Sequence, residues 1–326
     1  GDNLAAIAST RLPVEDLALF KAIFSDGLNA GLVTTLEEGK PTASLSALAD
    51  KIGKPFEANL DALKDTDAVL SLELDLIDEH QVAGFFVKRQ LIDGTRLIVA
   101  GGSKNQLAEN AAEKLTLNPG DESQFLAELL KAVEKGSDDE ALNKAVETLK
   151  KAERPCIVYG AGFAENVDKD ALQTLLKLAG ALDAALIGVK GNANSMAAAQ
   201  LGLEAPIKLN DIKSAFILLG DEDPSQKLTK ALEQIPFVVA QAAYGSQLTG
   251  NADVVLPVTM WAEQAGTYLS LDGRMQKAVQ ALDAPEGVLS SRQALEKLAA
   301  SLSLEPDMDW EAALKARIPT VAVKIA

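Results

Sequence analysis

The sequence predicts an α/β fold of two Rossmann-like, doubly wound lobes with mainly parallel sheets. Short, fully apolar runs alternate along the chain with longer runs that have the spacing of amphipathic helices. Fully apolar strands between helices are typical of parallel sheets that helices cover on both faces. A chain of 326 residues is also long enough to bury two hydrophobic cores.

The predicted elements follow each other in the alternation that βαβ units require. Acidic residues after Ser9 and Thr10 predict a helix start near the N-terminus. Pro119 and Pro257 end two of the predicted strands, and Trp310 is expected to anchor a short closing helix in the tail. The predicted strands are residues 31–34, 68–74, 96–100, 114–117, 156–159, 184–189, 215–219, 237–240 and 253–256, and the main predicted helices are residues 121–134, 139–152, 169–181 and 226–234.

The two predicted lobes share a sequence pattern. Q-L-x-x-N-A-x-x-x-L begins at Gln106 and again at Gln247, an offset of 141 residues (247 − 106). In both places the pattern follows a predicted strand and leads into another strand that a proline ends. An internal duplication of one Rossmann-like unit accounts for this recurrence.

Charge and composition exclude several classes of function. The formal net charge of −16 disfavours nucleic acid and anionic membrane surfaces as partners, because both attract Lys and Arg. We expect no direct membrane insertion, since no stretch approaches 18 uninterrupted apolar residues, and the N-terminus does not have the pattern of a signal peptide.

One cysteine, Cys156, and one histidine, His80, limit the possible chemistry. An iron–sulfur cluster needs several cysteine thiolates and a zinc site needs three or four ligands, so neither is expected in this chain. His80 lies in a helix-like segment, where a helix-surface histidine is expected rather than a catalytic base. Cys156 opens a predicted strand and is expected to be a small buried hydrophobe. Gly160-Ala161-Gly162 lacks the third glycine of a dinucleotide-binding fingerprint, so classical NAD binding is not expected.

Motifs at both ends of the chain carry a family resemblance. The segment 252–276 reads ADVVLPVTMWAEQAGTYLSLDGRMQ, and residues 7–16 read IASTRLPVED. Both resemble the molybdopterin oxidoreductase superfamily, which has A-D-V-V-L-P, E-x-x-G-T-Y, G-R-x-Q and I-A-S-x-R-L-x-N-E in these positions. Asn194 and Ser195, followed by Gly202, resemble a further motif of that family, although Ala197 stands where the motif has its first glycine. A helix cap also explains Asn194 and Ser195. The resemblance implies two lobes of the formate dehydrogenase and DMSO reductase type. In that layout, residues 31–150 form a first lobe inserted into a second lobe of residues 1–30 and 151–326, which carries the C-terminal helices.

The chain departs from cofactor-loaded relatives in two places. The family's G-E-N-P loop is Gly220-Asp221-Glu222-Asp223-Pro224 here, and its acids would repel an anionic pyrophosphate. The segment 29–39, where the family's metal ligand lies, contains no Cys, Ser or His; Glu37 or Glu38 is the remaining candidate ligand, and a solvated loop is the preferred interpretation.

In these departures the chain resembles the G subunits of NADH:quinone oxidoreductase, which are the large iron–sulfur subunits of complex I. That resemblance implies a scaffold with no cofactor of its own and iron–sulfur clusters only in domains upstream. The expected partners are other subunits of a respiratory or formate-oxidising complex. The expected location is cytoplasmic, peripheral to the inner membrane through that complex.

Two alternatives remain open. In the first, the chain is a fragment of a formate-dehydrogenase-like enzyme that holds molybdenum or tungsten in a bis-pterin cofactor, molybdopterin guanine dinucleotide. The residues expected to contact this cofactor are Asn194, Ser195, Gly220, Asp221, Glu263, Gly266 and Thr267. In the second, the chain is an α/β module that binds a small ligand in the crevice beyond the carboxyl ends of its strands.

Overall fold

The structure is a computed structural model that describes residues 1–38, 60–101, 105–189, 193–270, 274–306, 309–317 and 324–325. The chain divides into two compact units. Unit 1 consists of Gly1–Ser46 and Gly191–Ala326, and unit 2 is the continuous segment Ala47–Lys190.

Strands and helices alternate along most of the described chain. The strands are β1 (Leu4–Ala8), β2 (Leu32–Thr35), β3 (Ala68–Leu72), β4 (Arg96–Ala100), β5 (Glu113–Leu115), β6 (Pro155–Tyr159), β7 (Ala185–Gly188), β8 (Ser214–Gly220), β9 (Phe237–Ala242), β10 (Val254–Pro257), β11 (Gly266–Leu269), β12 (Arg274–Ala278) and β13 (Lys324–Ile325). The α-helices are α1 (Val14–Lys21), α2 (Leu76–Glu79), α3 (Gln81–Ile92), α4 (Glu122–Lys135), α5 (Glu140–Lys151), α6 (Ala161–Asn166), α7 (Lys169–Leu182), α8 (Ser195–Gln200), α9 (Gln226–Leu232), α10 (Gln247–Asn251), α11 (Ser291–Ser301) and α12 (Trp310–Arg317).

Unit 2 is built on a five-stranded parallel sheet in the order β5-β4-β3-β6-β7. Its central strands β3 and β6 are buried along their whole length, which explains why they are apolar on both faces. Helices α4, α5 and α7 contribute their apolar stripes to the same core as the strands. Asp139 accepts hydrogen bonds from the backbone N–H groups of Ala141 and Leu142, and so caps the start of α5.

Unit 1 contains a second five-stranded parallel sheet, in the order β10-β9-β8-β1-β2. A smaller sheet pairs β11 with β12 in antiparallel fashion and β12 with β13 in parallel fashion. Strand β8 lies between β9 and β1 and carries six buried residues in succession, and it forms the centre of this unit's core.

The two parallel sheets share one topology, which agrees with the predicted duplication. In unit 2 the five strands, taken in chain order, occupy positions 3-2-1-4-5 of the sheet, the order of a Rossmann fold. In unit 1 the strands β8, β9 and β10 occupy the first three of these positions, and β1 and β2 take the fourth and fifth. The predicted α/β class with two doubly wound lobes is therefore confirmed.

Three details differ from the sequence-based expectations. The predicted boundaries of 31–150 and 151–326 differ from the two compact units, because unit 2 is Ala47–Lys190 and β6 and β7 pair within its sheet. Strand β1 was not predicted as a strand, although it pairs with both β8 and β2 inside the unit 1 sheet. His80 joins α2 to α3 and is half-buried rather than on a helix surface, and burial lowers its pKa. Within the described ranges, no helix is long and apolar enough to cross a membrane.

Candidate site at the carboxyl edge of the unit 1 sheet

The topology of unit 1 places a crevice between β8 and β1. From β8 the chain continues to β9 and β10 on one side of the sheet, whereas β1 is followed by β2 on the other side. The loops after β8 and β1 therefore leave in opposite directions, and ligands of open α/β sheets bind at the carboxyl ends of such strands. The candidate site consists of the loops that follow β1, β2 and β8.

Gly220 ends β8 at this point, and its geometry requires glycine. Its φ of +59° lies in the left-handed region, which residues with a Cβ adopt at a cost. A Cβ on Gly220 would also lie 2.8 Å from Cδ2 of Leu12. The absence of a side chain thus lets the loops after β8 and β1 approach each other closely.

The loop after β8 is bound to the loop after β1 by two polar contacts. The buried hydroxyl of Ser9 donates a hydrogen bond to the carboxylate of Glu222. The guanidinium of Arg11 pairs with the carboxylate of Asp221 at 3.2 Å. Asp223 is exposed. Asp221 and Glu222 therefore use polar groups of the loop after β1 as their partners.

Glu37, in the loop after β2, joins the same network. Its Oε1 accepts hydrogen bonds from the hydroxyl of Thr10, at 2.7 Å, and from the hydroxyl of Ser195. The expectation of a solvated loop is wrong for this residue, because Glu37 is half-buried and hydrogen-bonded. We call the residues of this network the carboxyl-edge cluster, which consists of Ser9, Thr10, Arg11, Glu37, Ser195, Asp221 and Glu222.

Asn194 occupies the N-cap position of α8 but does not cap it with its side chain. Its Nδ2 donates to the carbonyls of Leu12, at 2.7 Å, and Thr267, at 3.2 Å, while its Oδ1 accepts from the N–H of Leu269 at 2.7 Å. The side chain is fully buried. Asn194 therefore connects the loop after β1 to β11, and the capping explanation of its side chain is wrong.

Glu15 and Pro13 hold β11 against the start of α1. The carboxylate of Glu15 accepts from the N–H of Thr267 at 2.9 Å and from its hydroxyl at 2.5 Å. A Cβ on Gly266 would lie 2.4 Å from Cγ of Pro13, so this close approach also requires glycine. Glu263 accepts from the N–H of Met260 at 3.0 Å, closing the turn before β11.

The structure thus brings six of the predicted site residues together around residues 9–15 and Glu37. Glu263 instead accepts a hydrogen bond within the turn before β11. All seven have a structural partner or a steric reason for their identity. Within the described ranges, no group of three His, Cys, Asp or Glu residues is arranged to hold a metal ion.

The carboxyl-edge cluster does not fit an anionic pyrophosphate. It contains three carboxylates and one guanidinium, and that guanidinium already pairs with Asp221. Two like charges about 5 Å apart repel each other by about 3 kcal/mol at an effective dielectric constant of 20. The charge at this edge therefore opposes the phosphates of a pterin dinucleotide.

Sequence reasoning missed two acidic residues. Glu73 follows β3 at the matching edge of the unit 2 sheet with a φ of +47°, and burial together with the neighbouring Glu122 raises its pKa to about 7. Asp16, in α1, is 2% exposed. The sequence does indicate that Asp16 is buried, because Asp16 has the spacing i, i+3, i+4 and i+7 with the apolar residues Leu19, Phe20 and Ile23. Residues at these positions share one face of a helix.

Known proteins resemble this chain in sequence. It is 32% identical over 169 residues to the G subunit of the NADH-quinone oxidoreductase of Rickettsia felis, a match of 49% of this chain and 24% of that protein. It is 25% identical over 295 residues to the mitochondrial NADH-ubiquinone oxidoreductase 78 kDa subunit of Candida albicans, covering 88% of this chain and 38% of that protein. It is 30% identical over 122 residues to the alpha subunit of F420-dependent formate dehydrogenase 2 of Methanococcus maripaludis, covering 35% of this chain and 18% of that protein. The chain thus spans less than half the length of each of these relatives.

Solved structures share the fold at lower identity. The formyltransferase/hydrolase complex of Methylorubrum extorquens contains a chain that matches with a TM-score of 0.68 and 16% sequence identity, covering 92% of this chain and 91% of that one. Residues 2–288 match the molybdopterin oxidoreductase family over most of the chain's length. The chain therefore belongs to the molybdopterin oxidoreductase family.

Proposed function

We propose that this chain is the molybdopterin-type domain of a G subunit in an NADH:quinone oxidoreductase, and that it acts there as a scaffold without a cofactor of its own. The bacterial and mitochondrial relatives, which are subunits of NADH-quinone and NADH-ubiquinone oxidoreductases, support the placement in this kind of complex. On this proposal, electrons pass through iron–sulfur clusters in other domains, and this chain provides a folded surface for neighbouring subunits at the cytoplasmic side of the membrane.

The observation that carries the proposal is the closure of the carboxyl-edge cluster on itself. A pterin dinucleotide needs donors for its phosphates at the edge where Ser9 and Arg11 bind the acids of the β8 loop instead. To bind the phosphates, the chain would have to break these contacts and hold like charges together. Both steps cost free energy, so a cofactor is disfavoured at this edge.

Elemental analysis of the parent complex tests the proposal most directly. We expect iron without molybdenum or tungsten. Near-stoichiometric molybdenum or tungsten would overturn the scaffold proposal.

A binding experiment tests the electrostatic reason on the chain itself. GDP serves as the probe, because it carries the guanosine and pyrophosphate of the dinucleotide. We expect no saturable binding of GDP at about 1 mM, the scale of very weak association. The triple variant Asp221→Asn/Glu222→Gln/Asp223→Asn is expected to bind GDP more tightly than a control variant. That control removes the same charge from the exposed acids Asp283, Glu286 and Glu305. Micromolar binding by the unmodified chain contradicts the electrostatic argument.

A second candidate function is a formate-dehydrogenase-like oxidoreductase that holds molybdenum or tungsten in a bis-pterin cofactor. The formate dehydrogenase relative favours it. Asn194, Ser195, Gly220, Asp221, Glu263, Gly266 and Thr267 would then line the cofactor site. The same elemental analysis separates the two candidates, because only this one requires a molybdenum or tungsten ion.

A further inference from the structure

A pocket of about 690 Å³ lies beside α1 in unit 1. Residues of α1, of α11, of strands β11 and β12, and of the segments before β11 and after β12 line it. Its volume falls within the range of about 300 to 1,000 Å³ that is typical of small-molecule sites in proteins. The lining is largely polar and includes Glu15, Asp16, Lys277, Arg292 and Gln293.

Asp16 is the unusual residue of this lining. It is 2% exposed, and among the described residues none donates a hydrogen bond to its Oδ2. Burying a carboxylate oxygen without a partner costs several kcal/mol, so proteins normally supply a hydrogen bond or a counter-charge. Asp16 is among the residues that line the pocket, so a ligand in the pocket would lie next to this side chain.

The charged neighbours of Asp16 have other partners. The carboxylate of Glu15 is held by Thr267, at 2.5 and 2.9 Å. On α11, the Nε of Arg292 pairs with Glu296 at 3.1 Å. Glu263 accepts from a backbone N–H within its own turn.

The balance of these charges raises the pKa of Asp16 to about 8. Burial is the largest cause, Glu15 and Glu296 add to it, and Arg292 opposes it. Lys277 also lines the pocket, on β12. The surroundings thus leave the ionised form of Asp16 short of positive charge, and a ligand with a cationic donor would supply it.

We propose that this pocket binds a small organic cation whose guanidinium or ammonium group donates hydrogen bonds to Asp16. A metal ion is a poor fit, because a site for one needs several oxygen ligands and the described chain has no group of three acidic, His or Cys residues that provides them. An organic cation needs only one or two acceptors, and the volume of the pocket accommodates the rest of the molecule. This inference does not rest on the proposed function, since it concerns a different ligand and holds whether or not a pterin binds.

Calorimetric titration with ethylguanidinium tests the proposal, and ethylurea is the neutral control of the same shape. A guanidinium stays charged at every pH of the experiment, so the pH dependence of binding reports Asp16. With a pKa of about 8 for Asp16, its ionised fraction falls from about 0.9 at pH 9 to about 0.01 at pH 6. We therefore expect the Kd for ethylguanidinium to rise by roughly 50- to 100-fold between pH 9 and pH 6. Ethylurea is expected not to bind at either pH.

Two further measurements keep the test decisive. Asp16→Asn is expected to abolish binding of ethylguanidinium, whereas Asp170→Asn, at an exposed position of α7, is expected to leave it unchanged. In the unmodified chain, ¹³C NMR of the Asp16 carboxyl group should show its pKa fall when ethylguanidinium is added, a result that does not depend on a variant folding. Lack of binding at pH 9, equal binding of ethylurea, or an unchanged pKa of Asp16 would overturn the proposal.

Discussion

Asp16→Asn tests how strongly the buried carboxyl group of α1 couples folding to pH. In the folded chain the pKa of Asp16 is raised from its ordinary value of 3.8 to about 8. The folded state therefore binds a proton more tightly than the unfolded state does. This coupling adds stability that is fully present below about pH 3.8 and is lost as the pH rises to about 8.

The size of the effect follows from the shift. Each pKa unit corresponds to about 1.4 kcal/mol, and about three units lie between pH 5 and the folded-state pKa. The unmodified chain is therefore expected to lose on the order of 4 kcal/mol of unfolding free energy between pH 5 and pH 9, relative to Asp16→Asn. Asparagine has nearly the shape of the protonated side chain, so the two proteins should be similar in stability at pH 5 and differ at pH 9.

Urea denaturation followed by circular dichroism at pH 5, 7 and 9 measures this difference. Asp170→Asn is the matched control, because Asp170 is exposed and its substitution is expected to change the unfolding free energy by less than about 0.5 kcal/mol at each pH. A difference between the unmodified chain and Asp16→Asn that stays constant over this range, or that grows in favour of the unmodified chain, refutes the reasoning.

Three further changes have defined outcomes. Gly220→Ala is expected to destabilise the chain by about 1 to 3 kcal/mol in urea denaturation. The alanine would have to adopt a left-handed backbone conformation, and its Cβ would lie 2.8 Å from Leu12. Gly245→Ala is the control, because no atom lies within 4 Å of the Cβ it would add. Asn194→Asp should cost at least about 3 kcal/mol at pH 8, since it buries a charge that faces two carbonyls. Glu73→Gln should raise the thermal midpoint more at pH 8 than at pH 5, because the raised pKa of Glu73 lowers the stability of the unmodified chain as the pH rises through 7. Since Glu73 is half-exposed, the gain in unfolding free energy is at most about 1 kcal/mol.

Each of these three predictions has a result that would contradict it. Equal effects of Gly220→Ala and Gly245→Ala would mean that the close approach of the two loops is not constrained. A stable Asn194→Asp variant would mean that the side chain does not hold the loop after β1 to β11. A shift for Glu73→Gln that is the same at both pH values would mean that the carboxyl group does not titrate near 7.

Local sequence patterns predicted most of the parallel strands and main helices closely. The segments 156–159 and 215–219 are apolar on both faces because helices cover both sides of their sheets, so their composition reveals the sheet type. The helices predicted at 139–152 and 169–181 begin and end within two residues of α5 and α7. Strand β1 was missed because it is rich in alanine, which has a low preference for strands, and its position is fixed by pairing with β2 and β8 far along the chain.

The sequence alone established the α/β class, the family motifs and the acidic character of the loop after β8. It did so because periodicity, turn residues and charge are properties of neighbouring positions in the chain. The folded structure was needed to show that β6 and β7 belong to unit 2, that Ser9 and Arg11 bind acids of the β8 loop, and that Asp16 lines a pocket. Those features depend on pairs of residues that are distant in sequence, and burial and contact across such distances exist only once the chain has folded.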